Sequence, residues 1–194
     1  MPNTSLKVTS FRYLAQLEQH LKPMLNVLLL EGMEEDIMEI RIDDLSGSEI
    51  NGLLQEHLNN MHEISPPESV HALDLSALKS PDVTLWGVWI EGELAGCGAL
   101  KKIGPSHGEI KSMRTSQNHL RKGVAANLLA HILQESRRRQ YTRLSLETGT
   151  EPEFQPAHRL YERFGFEACA PFGDYNEDPN SVFYTRVLQQ FSPA

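Results

Sequence analysis

The stretch VTLWGVWIEGELAGCGALKKI, Val83 to Ile103, constrains the fold more than any other part of this sequence. Two strand-length runs meet at Glu91, Gly92 and Glu93, and a glycine at such a junction predicts a tight β-hairpin. A second turn at GPSH leads into GEIKSMRT, Gly108 to Thr115, a third strand. Upstream, MEIRIDDL (Met38 to Leu45) alternates with a period of two. The next segment, SGSEINGLLQEHLNNM, has Ser46 and Glu49 in capping-box spacing, and Ile50, Leu53, Leu54, His57, Leu58 and Met61 share one helical face. Pro66 and Pro67 then precede a shorter helix around Ser69 to Leu78, so this segment reads as an irregular cover over a surface.

After the third strand come a helix running from LRKG to about Arg139, a strand TRLSLET, a helix through PAHRLYERF, and strands near FEACAPF and SVFYTRVL. Strand, helix, helix, three strands, helix, strand, helix, two strands is the order of an α/β protein with a mixed sheet. It predicts one domain over residues 37–194, of ordinary single-domain size. Residues 1–36 differ: FRYLAQLEQHLKPML is amphipathic and broken at Pro23, before the acidic EGMEED. They are expected to form an N-terminal helical extension that covers a surface or pairs subunits.

Charge and cysteine usage remove several function classes. A net charge of -8 opposes extended nucleic-acid binding, which relies on neutralising phosphates with lysine and arginine. The run Arg137, Arg138, Arg139 falls where a helix should end and where cations complement its dipole. The longest apolar run, MLNVLLL from Met24 to Leu30, is too short to span a bilayer and lacks a signal-peptide cleavage pattern, so no membrane partner and a cytoplasmic location are expected. Cys97 and Cys169, 72 positions apart in small or apolar surroundings, read as reduced structural thiols. His57 and His62 are five apart and no H-E-x-x-H occurs, so no metal is expected.

HLRKGVAANLL, His119 to Leu129, puts Gly123, Ala125 and Ala126 at the start of a helix beside Arg121 and Lys122. A helix start leaves backbone N–H groups free and carries partial positive charge, which suits a phosphate if no bulky side chain blocks approach. Neither G-x-x-x-x-G-K-[ST] nor G-x-G-x-x-G occurs. Downstream, AHRLYERFGF spaces Ala157, Leu160, Tyr161, Gly165 and Phe166 as A-x-x-L-Y-x-x-x-G-F. With this segment, the loop and the preceding strand in that order, the chain resembles the GNAT superfamily of acyl-coenzyme A-dependent N-acetyltransferases over roughly Met38 to Leu188. The family's loop reads Q/R-x-x-G-x-G/A; Gly123 and Ala125 match it, Leu120 stands at its first position, and Phe154 stands where an Asn is frequent.

The resemblance implies a GNAT-like, mostly antiparallel twisted sheet of about seven strands flanked by about four helices. It implies acetyl-CoA as cosubstrate, with its pyrophosphate on the backbone of Arg121, Lys122, Gly123, Val124, Ala125 and Ala126. Backbone at Met113 and Arg114 would hold the pantetheine arm, and the Met113 N–H would polarise the thioester carbonyl. Glu109 matches the fourth-strand glutamate that takes the amine proton, with Glu147 as competitor. Tyr161 is the implied general acid: a phenol near pKa 10 is protonated at neutral pH and can supply a departing thiolate of about 8.5. Direct transfer in a ternary complex fits better than an acyl-enzyme, since neither cysteine has an activating context. His62 and Glu63 are read as part of the acceptor pocket or as surface groups at a helix end, and Asp174 and Asp178 as attracting a cationic amine. The expected function is acetyl transfer to the primary amine of a small molecule or amino-acid-like acceptor. A non-catalytic acyl-CoA sensor and a protein N-acetyltransferase are the alternatives, and the extension offers an interface for a homodimer.

Overall fold

The computed structural model describes residues 38–69 and 71–189. The N-terminal helical extension expected over 1–36 lies outside the described residues. Seven strands form one sheet: β1 (Met38–Asp43), β2 (Val83–Ile90), β3 (Glu93–Lys102), β4 (His107–Thr115), β5 (Arg143–Gly149), β6 (Glu167–Cys169) and β7 (Ser181–Val187). Their spatial order is β1-β2-β3-β4-β5-β7-β6. The hairpin between β2 and β3 turns on Glu91 and Gly92, both at positive φ (51° and 82°), the two-residue geometry that matches strand twist. All pairings are antiparallel except β4 with β5. The mixed, mostly antiparallel sheet is therefore the predicted one.

Four α-helices are described: α1 (Ser48–Ile64), α2 (Leu75–Leu78), α3 (Val124–Arg138) and α4 (Gln155–Arg163). Two apolar clusters lie on the sheet. One joins Trp86, Val88, Leu100, Ile110, Leu144 and Leu146 to Leu128, Leu129 and Ile132 of α3 and Tyr161 of α4. The other joins Leu85, Cys97 and Ala99 to Ile50, Leu53 and Leu54 of α1 and Leu78 of α2. Strand alternation separates the two sets: Ile110 and Leu146 face α3 and α4, while Glu109, Lys111, Ser145 and Glu147 fall on the α1 side.

Two local expectations change. The Ser46–Glu49 capping box does not form; α1 starts at Ser48, and Gly47 caps it without a side-chain bond. The Asp43 and Asp44 carboxylates instead accept the N–H groups of Leu45 and Ser46 at 2.8 and 2.9 Å, a turn that takes Ser46 away from the helix. The helix expected over Ser69 to Leu78 divides into a 3-10 turn, Pro67–Ser69, and the short α2. Asp74 caps α2 by accepting from Ala77 N–H at 2.7 Å, which fixes its start late. The arginine run ends α3 as expected: Arg138 and Arg139 both bond Glu135, holding its carboxyl at about 2. No helix among the described residues is long and apolar enough to cross a membrane.

Candidate active site

The α3 N-terminus is open. Gly123 occupies the cap position at φ 80°, a left-handed conformation that glycine adopts freely, and no side chain caps the first turn. No acidic residue lies in that turn. The N–H groups of Val124, Ala125 and Ala126 precede the first intrahelical bond, Asn127 N–H to Gly123 C=O at 3.0 Å, so they are available to an anion. Arg121, Lys122 and Gly123 are exposed around it, and Val124 is buried against the sheet. That close seating needs bare strand backbone. A Cβ on Gly96 would meet Val124 Cγ1 and the Arg114 carbonyl oxygen, each at 2.7 Å.

β4 and β5 pair only from His107↔Arg143 to Ile110↔Leu146. Beyond Ile110 they part: β4 bulges at Ser112 (φ 53°), where its register with β3 shifts, while β5 continues against β7. A cavity of about 120 Å³ fills this region, lined by Lys111, Ser112 and Met113 of β4, Glu147 of β5, Tyr161 of α4 and His57 of α1. Two buried polar atoms here, His57 Nδ1 and Ser112 Oγ, have no hydrogen-bond partner among the described residues. Such orphans in a native fold call for a ligand or water. Burial holds the His57 imidazole at about 4, so it is neutral at physiological pH. Glu147 accepts from Ser181 Oγ at 2.7 Å, and burial raises its pKa. Burial, with the Glu147 carboxylate second, also raises Tyr161, keeping the phenol protonated.

A wider cleft of about 900 Å³ lies alongside, sharing Ser69, His71, Ala72 and Lys111 with the smaller cavity. Its other walls include Lys101, Glu109, Phe172, Asp174, Tyr175 and Asp178. Glu109 and Lys111 form a buried ion pair at 3.2 Å. Tyr175 Oη donates to Glu109 and accepts from Lys111 Nζ, both at 2.6 Å, which closes a three-membered network.

The sequence-predicted residues thus separate. Tyr161, Glu147 and Met113 line the smaller cavity, whereas Glu109 lines the cleft. The Arg114 side chain bonds Asn60 at 3.1 Å and Glu56 at 2.7 Å, tying β4 to α1. His62 and Glu63 are exposed in the last turn of α1 and line neither cavity; His57 and Met61, on the inner face of the same helix, do so instead. Lys111, Ser112 and Tyr175 were not singled out from sequence. The only signal for Lys111 was its spacing from Glu109, which puts opposite charges on one face of a strand.

Comparison with known proteins agrees with this geometry. The profile of the Acetyltransferase (GNAT) family matches residues 50–166. The chain is 58% identical over 151 residues to an uncharacterized N-acetyltransferase of Bacillus subtilis (strain 168), covering 78% of this chain and all of the relative. A solved Klebsiella pneumoniae structure superposes with TM-score 0.67 at 28% identity, over 80% of this chain and 100% of that one. A GNAT acetyltransferase from Elizabethkingia anophelis, solved with acetyl-CoA bound, shares the fold at TM-score 0.56 and 17% identity, over 79% and 100% of the two chains. The parted β4 and β5, the uncapped α3 start and the matched profile converge on one conclusion: this chain is an acetyltransferase and belongs to the GNAT family.

Proposed function

We propose that the protein transfers an acetyl group from acetyl-CoA to the primary amine of a small molecule, by direct attack in a ternary complex. One observation carries the reading: a cavity holding a half-buried carboxyl, a buried phenol and two polar atoms unpartnered among the described residues shares lining residues with a cleft large enough for a small acceptor. The residues present suit acetyl-CoA. First-turn amides of α3 with Arg121 and Lys122 take the pyrophosphate, and the backbone of Met113 and Arg114 takes the pantetheine arm between the parted strands.

We assign the base to Glu147. Glu109 is held by Tyr175 and Lys111, whereas Glu147 has one hydrogen-bonding partner among the described residues, Ser181, and lines the same cavity as Tyr161. Glu147 accepts one proton from the acceptor ammonium, freeing the nitrogen lone pair. The amine attacks the thioester carbonyl, the C–N bond forms, and the Met113 N–H stabilises the oxyanion. As the C–S bond breaks, Tyr161 donates its proton to the thiolate, and the tyrosinate recovers one from the amide nitrogen formed. The products are the N-acetyl amine and free coenzyme A, with one net proton passed to solvent through Glu147.

Calorimetry with acetyl-CoA, followed by thiol-release assays over a panel of small amines, tests the reading. Micromolar binding with amine-dependent release is the expected result. Absence of binding by the folded protein would reduce the likeness to one of fold.

A further inference from the structure

The floor of the wider cleft bears a charge arrangement that acetyl transfer by itself does not require. Lys101 on β3 is the cross-strand partner of Glu109, and Lys111 lies two residues further along β4, so all three project from one face of the sheet. Two ammonium groups therefore flank one carboxylate. That carboxylate is engaged by Lys111 and Tyr175, and Lys101 has no ion-pair partner among the described residues. Lys111 donates to Tyr175 Oη and pairs ionically with Glu109, which leaves it N–H donors to give. Its side chain is only 6% exposed, so an anion meeting such a donor would do so largely out of water, where charge-assisted hydrogen bonds are strongest.

The loop that lines the same cleft has the other sign. Asp174, Glu177 and Asp178 belong to it; Asp178 accepts from Asn180 N–H and lies 4.0 Å from His71, while Asp174 and Glu177 are exposed. A simple anion is repelled by these acids and a simple cation by the lysines. A zwitterion offers the acids an ammonium to draw in as it enters and the lysines a carboxylate to hold.

We propose that the acceptor is an amino acid, whose carboxylate binds Lys101 and Lys111 while its amine enters the smaller cavity. Lys111 lines both spaces. In an α-amino acid the nitrogen is one carbon from the carboxylate, so anchoring at Lys111 places the amine at the mouth of the cavity that holds Glu147 and Tyr161. This inference rests on the acetyl-transfer reading and specifies its substrate.

The test compares the twenty standard amino acids, their carboxamides and their decarboxylated amines in thiol-release assays, with acetyl-CoA binding measured by calorimetry on the same preparation. At least one amino acid should exceed its carboxamide and amine in kcat/KM by tenfold or more. Lys101→Met, at a half-buried position without an ion pair, should raise KM for that amino acid about tenfold and bring its preference over the amine close to one. The double variant Lys111→Met/Glu109→Gln, which removes the buried pair without stranding a charge, should do the same. Equal or better turnover of the carboxylate-free partners, or a Lys101→Met effect equal for both, overturns the proposal. So does acetyl-CoA binding with no amino acid acetylated, which leaves the cofactor reading standing; failure to bind acetyl-CoA removes both.

Discussion

Glu147→Gln separates catalysis from stability at one residue. Glu147 is half-buried in the cavity that Tyr161 also lines, and its pKa is raised, with desolvation the largest cause, opposed by the Ser181 hydroxyl and Lys111. A raised carboxyl pKa means that the native state binds more protons than the unfolded chain between the ordinary value near 4.5 and the folded one. Stability conferred by the protonated form is full below that window and is lost as pH rises through it, at about 1.4 kcal/mol per unit of elevation. At pH 7–8 the native protein therefore bears a desolvation cost that glutamine, neutral and of the same shape, avoids. Its Oε1 can still accept from Ser181. The variant should melt no lower than the parent at pH 8. It should lose the base, however, and loss of a general base typically slows a reaction by about 10²–10⁴, or roughly 3–5 kcal/mol of barrier. The assay is kcat/KM by thiol release from pH 5 to 9, beside thermal melts. The parent should show an acid limb, rising with pH through a value above 4.5, which the variant lacks. A variant within threefold of the parent, or one that keeps the acid limb, would refute the assignment.

Tyr161→Phe should lower kcat by about 10² with little change in KM, since the ring keeps its contacts with Phe166 and Tyr184; unchanged turnover removes the acid role. Gly123→Glu should abolish acetyl-CoA binding in calorimetry, whereas Gly123→Asn, which tolerates positive φ, should retain most of it. Lys111→Met alone should cost about 3–5 kcal/mol in denaturant unfolding by stranding Glu109, and adding Glu109→Gln should recover most of that loss; an additive double variant would show that the pair is not coupled. Gly96→Ala should destabilise by about 1–3 kcal/mol, because its Cβ meets a backbone oxygen as well as Val124; a neutral result would mean that α3 is seated more loosely than described.

The hairpin, the succession of strands and helices along the chain and the α3 start were legible because each depends on local chemistry: a glycine turn, period-two alternation, a bare helix tip. The end of the sheet was not. β7 inserts between β5 and β6, and nothing in SVFYTRV reveals that it reaches past its sequence neighbour to pair with β5 over seven residues. Nor could charge pattern alone separate the two carboxylates. Glu109 and Glu147 are both glutamates on strands facing one side of the sheet, and their roles diverge because a tyrosine 66 positions away in sequence closes over the first and leaves the second to a serine.

The histidines of α1 show where the missing signal lay. His62 drew attention by standing beside an acid at a helix end, a place where a polar residue is at no cost and so carries little information. His57 enters the sequence reading on the apolar stripe with Leu53 and Leu54 and in the search for a metal pair, yet its place on that stripe is the costly one: an imidazole there loses its water, stays neutral and leaves Nδ1 without a hydrogen-bond partner among the described residues. A fold tolerates such a cost where a ligand repays it, and His57 lines the cavity between the parted strands. The informative residue on an amphipathic helix is thus the polar one on the wrong face. His57→Leu should raise the melting temperature while raising KM for the acceptor; a variant less stable than the parent would mean that the imidazole is satisfied within the protein and has no part in binding.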